Sequence, residues 1–226
     1  MQVCLPGDAV ELGGRSRGLG VALAAGGHPY ATTAGIVRQG TTDTHVESWR
    51  KRYIPRPGDH VIGVVCSRNA DMYRVDIRGP SLAYLPTLAF NGASLRNRPI
   101  LEVGSVVYAR IQGAHPDLDT ELSCMDLDNK KSWSTNEIIF GELQGGLQFE
   151  VPLSAAHRLL ADDCYVLERL GRDFCFEVCI GQNGRVWLSA ATRRETVLLL
   201  QTIRRSFGMT DVQVEAMVQK MIEMFS

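Results

Sequence analysis

Between His60 and Val65 the chain alternates, with Val61, Gly63 and Val65 on one side and an apolar neighbour at each step, a pattern that predicts a β-strand. Pro55 and Pro57 hold the incoming chain extended, Gly58-Asp59 turn it, and Gly63 is expected at a tight bend. Beyond a turn at Arg68-Asn69-Ala70-Asp71, Met72 to Ile77 sets Met, Arg and Asp against Tyr, Val and Ile, a half-buried second strand. Ser81 to Leu85 predicts a third strand. A long loop over 86–99 follows, holding Asn91-Gly92 and Arg96-Asn97-Arg98-Pro99. Val103-Gly104-Ser105 then turn into a fourth strand, Val106 to Gln112, and Glu121 to Leu127 makes a fifth. Five strands with a long connection after the third match the count of an OB barrel.

The pattern changes in the last third. Leu147 to Pro152 predicts a short strand, and Ser154 caps a brief helix to Leu160. Asp162 or Asp163 caps a second, Cys164 to Leu170, stopped by Gly171. Phe174 to Ile180 and Arg185 to Ser189 are β-rich runs joined by Gly181-Gln182-Asn183-Gly184, whose Asn-Gly pair signals a hairpin. Thr192 and Glu195 form a capping box for a helix striped with Val197, Leu200, Ile203 and Phe207, ended by Gly208. Thr210 with Gln213 opens a final helix bearing Val214, Met217, Met221 and Phe225. Strand, helix, helix, strand, strand, helix is the order of a type I KH domain.

The first 55 residues predict a small β domain, with runs at Thr32 to Arg38 and Val46 to Tyr53. Its opening Leu5-Pro6-Gly7-Asp8 echoes Arg56-Pro57-Gly58-Asp59. The Gly13 to Gly20 segment has arginines but neither the lysine nor the strand-then-helix setting of a P-loop, and is read as a hairpin tip or flexible connection. The fold expected is multidomain β and α+β: an N-terminal β domain (1–55), an OB barrel (56–130) and a KH domain with C-terminal helices (131–226).

Composition narrows the partners. Net charge is −1, and residues 56–128 carry seven Arg and no Lys against nine acids, so nucleic acid would have to be held by a local patch or within an assembly. Six cysteines, at 4, 66, 124, 164, 175 and 179, have no CxxC spacing and are read as thiols in a reducing compartment, without zinc. No apolar run of about 18 residues or signal-like N-terminus is found, so no membrane partner is expected. Asp117-Leu118-Asp119-Thr120-Glu121 lacks the glycine of a calcium loop, where Leu122 stands, and is read as a solvated hairpin loop. Asp126 and Asp128 could share a strand face, but no histidine or further carboxylate groups with them. With no hydrolase or zincin motif either, no catalytic residue, metal or cofactor is expected.

Val61-x-Gly63-x-Val65 after a Gly-Asp turn resembles the first strand of ribosomal S1-type barrels. With Lys51-Arg52-Tyr53 before it, Arg96-Asn97-Arg98-Pro99 in the long loop and Gly181-Gln182-Asn183-Gly184-Arg185-Val186-Trp187 after it, the chain from about residue 48 resembles the S1/KH cap subunits of the RNA exosome. That resemblance implies a non-catalytic subunit that sits with two other S1/KH proteins on a ring of RNase PH-like subunits and guides single-stranded RNA to its pore. It also implies the nucleus and nucleolus, and the cytoplasm, as its place. A stand-alone S1/KH RNA-binding protein is the alternative.

An S1-type barrel holds single-stranded RNA by stacking bases on aromatics while basic groups follow the backbone. The available set is Arg68, Tyr73, Arg74, Tyr84, Arg96 and Arg98. Tyr73 and Arg74 are strand neighbours and must face opposite sides, and either tyrosine can fill the core instead. Arg96 and Arg98 are assigned to RNA guidance, with fixing the loop or meeting a neighbouring subunit as alternatives. Gly58, Asp59 and Gly63 are expected to shape the first strand, and Gly181, Asn183 and Gly184 a structural hairpin, with Trp187 as a core anchor. A KH clamp needs a GXXG loop between its first two helices. Leu160-Ala161-Asp162-Asp163 has no glycine and carries two carboxylates, so the standard clamp is expected to be missing.

Overall fold

The run of apolar residues at 61–65 becomes a strand buried on both sides. In the computed structural model, which describes residues 2–18, 20–39, 43–47, 52–115, 117–126, 139–161 and 164–223, the chain divides into two compact units, Met1–Lys51 and Arg52–Ser226.

In the first unit, strands β1 (Gln2–Cys4), β5 (Gly35–Gln39), β6 (Asp43–Glu47) and β2 (Ser16–Arg17) form one sheet in that order. A hairpin, β3 (Val21–Leu23) with β4 (Pro29–Ala31), lies beside it in sequence. Cys4, Val10, Val21, Ala31 and Val46 form the core. Of the strand expected from Val46 to Tyr53, Val46 and Glu47 lie in β6, residues 48–51 lie outside the described residues, and Tyr53 belongs to the barrel core of the second unit. Gly13 and Gly14 turn the chain at positive φ into β2, which pairs in parallel with β6, so the segment is a strand lead-in rather than a hairpin tip.

The echo of Pro-Gly-Asp is geometric. Gly7 and Gly58 adopt φ of +98° and +92°, and each turn closes with an N–H of Asp8 or Asp59 donating to the carbonyl three residues back. Each glycine N–H then donates to one strand residue, Ala31 or Ile111, whose own N–H returns to the aspartate carbonyl. One turn design starts two separate β units.

In the second unit, β7 (His60–Arg68), β8 (Met72–Asp76), β9 (Ala83–Pro86), β11 (Leu118–Ser123) and β10 (Val106–His115) pair in that order, and β10 returns to β7. This closes a five-stranded OB-like barrel, to whose β10 the short β12 (Gly141–Leu143) adds a strand the sequence pattern does not announce. Gly63 is not at a bend. It lies in register with Val107 at ordinary φ, and a Cβ there would come 2.2 Å from the Val75 side chain, so glycine is required by packing. The Asp117–Glu121 stretch is strand β11 from Leu118 onward rather than a loop, and puts Asp119 and Glu121 on the barrel.

Strands β13 (Leu147–Glu150), β14 (Phe176–Ile180) and β15 (Arg185–Ala190) form an antiparallel sheet with β15 in the middle, as a type I KH order requires. Helix α1 spans Leu153–Leu159 and α2 spans Tyr165–Asp173. Pro152 caps α1 and Ser154 is buried inside it, because proline pre-sets the first turn without needing a side-chain acceptor. Gly171 does not stop α2, which is carried one more turn by Arg169 and Arg172 pairing with Asp173 and Glu168 at i,i+4.

The capping box at Thr192 and Glu195 forms and starts α3 (Arg193–Ser206). Its buried stripe is Thr196, Leu199, Ile203 and Ser206, with Val197 turned outward. Thr196 can be buried because its hydroxyl bonds the Thr192 carbonyl and the Ala190 N–H. Helix α4 (Asp211–Glu223) buries Val214, Val218 and Met221, while Phe225 lies outside the described residues.

Candidate nucleic-acid interface

On β8 the pleat sends Tyr73 and Val75 inward and Met72 and Arg74 outward. Register then sets Arg74 opposite Tyr84 on β9, and Tyr84 opposite Glu121 on β11, a polar row across three strands. With Pro57, Gly113, His115, Leu118 and Asp119 they line an open concavity of about 610 Å³. Arg74 pairs with Asp119 at 2.5 Å. Partial desolvation and the Glu121 carboxylate, which accepts a hydrogen bond from its hydroxyl, hold the Tyr84 phenol above its ordinary range. The face offers an aromatic ring and a guanidinium, with Asp119 and Glu121 as competing anions.

The other sequence-assigned residues do not join this row. Tyr73 is in the barrel core, 4% exposed, its hydroxyl donating to the Pro99 carbonyl at 2.8 Å and accepting from the Leu101 N–H. It cannot stack a base, and its role is to hold the long loop to the barrel. Arg98 donates to the Ala70 carbonyl at 2.8 Å and to the Thr87 hydroxyl, tying that loop to the β7–β8 turn. Arg68 is exposed at the same turn, in register with Tyr73 rather than with Arg74, and Arg96 is exposed on the loop. The six residues therefore divide into a face (Arg74, Tyr84), a loop end (Arg68, Arg96, Arg98) and the core (Tyr73).

The Gly181–Gly184 hairpin is turned inward. The Gly184 N–H donates to the Gly181 carbonyl, only Gly184 takes a positive φ (+78°), and Asn183 keeps an ordinary one. Asn183 is fully buried, and its amide spans two barrel strands. The Nδ2 group donates to the Ile62 and Ile77 carbonyls at 2.8 and 2.9 Å, and Oδ1 accepts from the Ile62 N–H at 3.3 Å. Gln182 pairs with His60 in both directions, N–H to carbonyl at 2.9 Å and His60 N–H to Oε1 at 2.8 Å. The hairpin thus acts as an added strand end on β7. A Cβ at Gly181 would meet Asn183 Oδ1 at 2.3 Å and the Ile62 nitrogen at 2.8 Å.

Around this joint, Arg185 is 5% exposed and its guanidinium bonds the Asp76 carbonyl and carboxylate, the latter at 2.5 Å. Burial alone would raise the Asp76 carboxyl, but the Arg78 N–H and Arg185 hold it below its ordinary value. Arg78, at φ +61° the one non-glycine residue with positive φ among those described, aims its guanidinium at the Gly184 carbonyl (3.2 Å) and Glu150 (3.7 Å). Trp187, from the KH sheet, is 4% exposed and belongs to the barrel core. On the other flank His60 packs edge-on to Phe140 and Tyr108, at centroid distances of 5.0 and 6.0 Å. Burial, then nearby Arg110, lowers the His60 pKa. Asp59 accepts from the Tyr53 hydroxyl at 2.6 Å, and burial raises both groups.

Gln182, Asp76, Arg78 and Phe140 are the joint residues that sequence reading missed. Two amides at a glycine-flanked hairpin tip were the available signal, but only the docked strand gives them partners. Between α1 and α2, Asp162 and Asp163 lie outside the described residues, as does Asp128. Among the described residues no group of three His, Cys, Asp or Glu side chains is placed to hold a metal.

A closed five-stranded barrel joined through a hairpin to a type I KH sheet defines an S1/KH protein. Residues 53–134 match the family model described as the exosome complex component RRP40 S1 domain, and residues 146–194 match a KH domain model. A Dictyostelium discoideum protein named as exosome complex component rrp40 is 33% identical over 84% of this chain and 78% of its own length. The Schizosaccharomyces pombe component rrp40 is 39% identical over 74% and 68%, and the human RRP40 component 35% identical over 79% of this chain. The chain belongs to the RRP40 family of exosome components. It spans 63% of the length of the mouse, bovine and human relatives. A solved structure described as an exosome complex RNA-binding protein superposes with a TM-score of 0.62 at 17% identity, over 78% of this chain and all of its own, and shares the fold.

Proposed function

We propose that this chain is a non-catalytic S1/KH cap subunit of the RNA exosome. It works with the other S1/KH cap subunits to stabilise a ring of RNase PH-like subunits and guides single-stranded RNA to the pore for 3′–5′ processing and degradation. The observation that carries this reading is the joint: the KH hairpin spends its amides on β7, fixing KH sheet and barrel to each other. A rigid two-module body suits a scaffold that positions RNA more than it suits a clamp that must open. RNA contact is assigned to Arg74 and Tyr84 on the barrel face, with Arg68, Arg96 and Arg98 at the loop end, and Tyr73 is excluded by its burial. Aromatic stacking with a flanking guanidinium is the chemistry of single-strand binding. No enzyme activity and no cofactor are assigned, and the division at 1–55, 56–130 and 131–226 is proposed as the domain map, with Tyr53, Phe140 and β12 contributed to the barrel from the flanking segments. Family membership supports placement in the nucleus and nucleolus, and in the cytoplasm.

Isolation of the tagged endogenous protein under mild salt, followed by native mass spectrometry, tests the proposal. A stoichiometric complex with RNase PH-like subunits is expected. A free monomer carrying RNA would instead make it a stand-alone binder.

A further inference from the structure

Helix α3 carries four arginines, Arg193, Arg194, Arg204 and Arg205, all exposed. At about 100° per residue they fall with Val197 and Gln201 within about 120° of the helix circumference. The stripe buried against the KH sheet and α4 is Thr196, Leu199, Thr202, Ile203 and Ser206, on the opposite side. Two arginine pairs thus stand on one outward face, about 16 Å apart along the axis. The single acid of the helix, Glu195, is folded back onto the Thr192 N–H in the capping box and lies off this face.

Ordinary stabilisation accounts for half of this arrangement. Arg204 and Arg205 complement the C-terminal end of the helix, but Arg193 and Arg194 stand at the end where cations are disfavoured. Three arginines elsewhere in the KH unit have acid partners, Arg169 with Asp173 and Glu215, Arg172 with Glu168, and Arg185 with Asp76, while the exposed Arg158 on α1 stands singly among the described residues. Arg193, Arg204 and Arg205 form no ion pair with a described residue. The barrel face, in contrast, holds two carboxylates beside its one arginine. In a chain of net charge −1, α3 is a concentrated basic surface.

We infer that the outward face of α3 is a phosphate-backbone track for single-stranded RNA, separate from the barrel face and from the inward-turned hairpin. Its composition selects this occupant. A protein interface needs an apolar or aromatic centre, and here Val197 is the one apolar residue, 40% exposed. Guanidinium groups without such a centre fit the repeated anions of a nucleic-acid backbone. The track reads charge and not base. It deepens the proposed RNA-guiding role and rests on it, while its test is independent of ring assembly.

The test measures anisotropy of the full chain with labelled 20-nucleotide oligouridylate and oligoadenylate over a salt series. Each neutralised phosphate contributes about 0.7 to the log–log salt slope for single strands. R193Q is expected to reduce the slope by about 0.7 and R204Q/R205Q by about 1.4, equally on both oligonucleotides, with both variants folded at the assay temperature. Arg→Lys at the same positions keeps the slope. Unchanged slopes in both Gln variants, or no binding by the unsubstituted chain at low salt, overturns the track. Normal RNA slopes with loss of a protein partner would assign the face to an acidic protein surface and also overturn it. A reduced slope in a protein recovered without ring subunits would leave the track standing and remove the cap reading.

Discussion

The Arg74–Tyr84 face and the Gly181–Gly184 hairpin use similar residues for opposite ends. On the barrel face a guanidinium and a phenol stand in solvent, answered by Asp119 and Glu121, so each can exchange its partner for a ligand at little cost. At the hairpin, both ends of the Asn183 amide are matched by backbone groups of β7 and by the Ile77 carbonyl in a site without solvent, and Gln182 Oε1 accepts from the His60 N–H beside it. Buried polar groups that are fully paired cost much to unpair. A glycine-rich tip that resembles a nucleic-acid clamp becomes a joint once its donors are spent inside the molecule.

The largest way to break this contrast is Gly181→Ala. Its Cβ would meet backbone and the Asn183 amide, not the end of a flexible side chain, so a loss of about 3 kcal/mol or more is expected in urea denaturation. Asn183→Ala follows, leaving the Ile62 and Ile77 carbonyls without their side-chain donor, at about 2–3 kcal/mol. Tyr73→Phe removes the bond to Pro99 and is expected to cost about 1 kcal/mol, whereas Tyr84→Phe, on the outer face, is expected to leave stability within about 0.5 kcal/mol. If both tyrosines behaved alike, the inside–outside division of β8 and β9 would fail.

A smaller effect comes from pH. The His60 pKa is lowered in the folded chain, so the unfolded chain binds its proton more readily. Its contribution is present above about pH 6.5 and is lost as pH falls below it. Between pH 7 and about 5.5 the denaturation midpoint should fall more for the unsubstituted protein than for His60→Gln. The difference between the two isolates the imidazole from Asp59, whose raised carboxyl acts in the opposite sense. The smallest stability effect is expected for Arg74→Gln, below about 1 kcal/mol, since the Asp119 pair is exposed.

Barrel and KH elements were legible because period-two strands, turn glycines and a capping box are local signals. What escaped depended on partners distant in sequence. Gly63 reads as a bend until Val75 is brought against it, and Asp119 reads as loop until β9 pairs with β11. Val197 reads as core by spacing, yet Thr196 takes that place because two backbone groups satisfy its hydroxyl. At the candidate interface, alternation separated Tyr73 from Arg74 without saying which faced inward. The choice was made by the Pro99 carbonyl on the long loop. Arg98 shows the same limit, for its partner Ala70 lies across the barrel end.

The most direct test of the joint is one paired measurement on Asn183→Ala: urea stability, and single-stranded RNA affinity at a temperature where the variant remains folded. Stability lower by about 2–3 kcal/mol with RNA affinity unchanged is the predicted result. Unchanged stability with RNA affinity reduced would contradict it, and would make the hairpin a nucleic-acid contact.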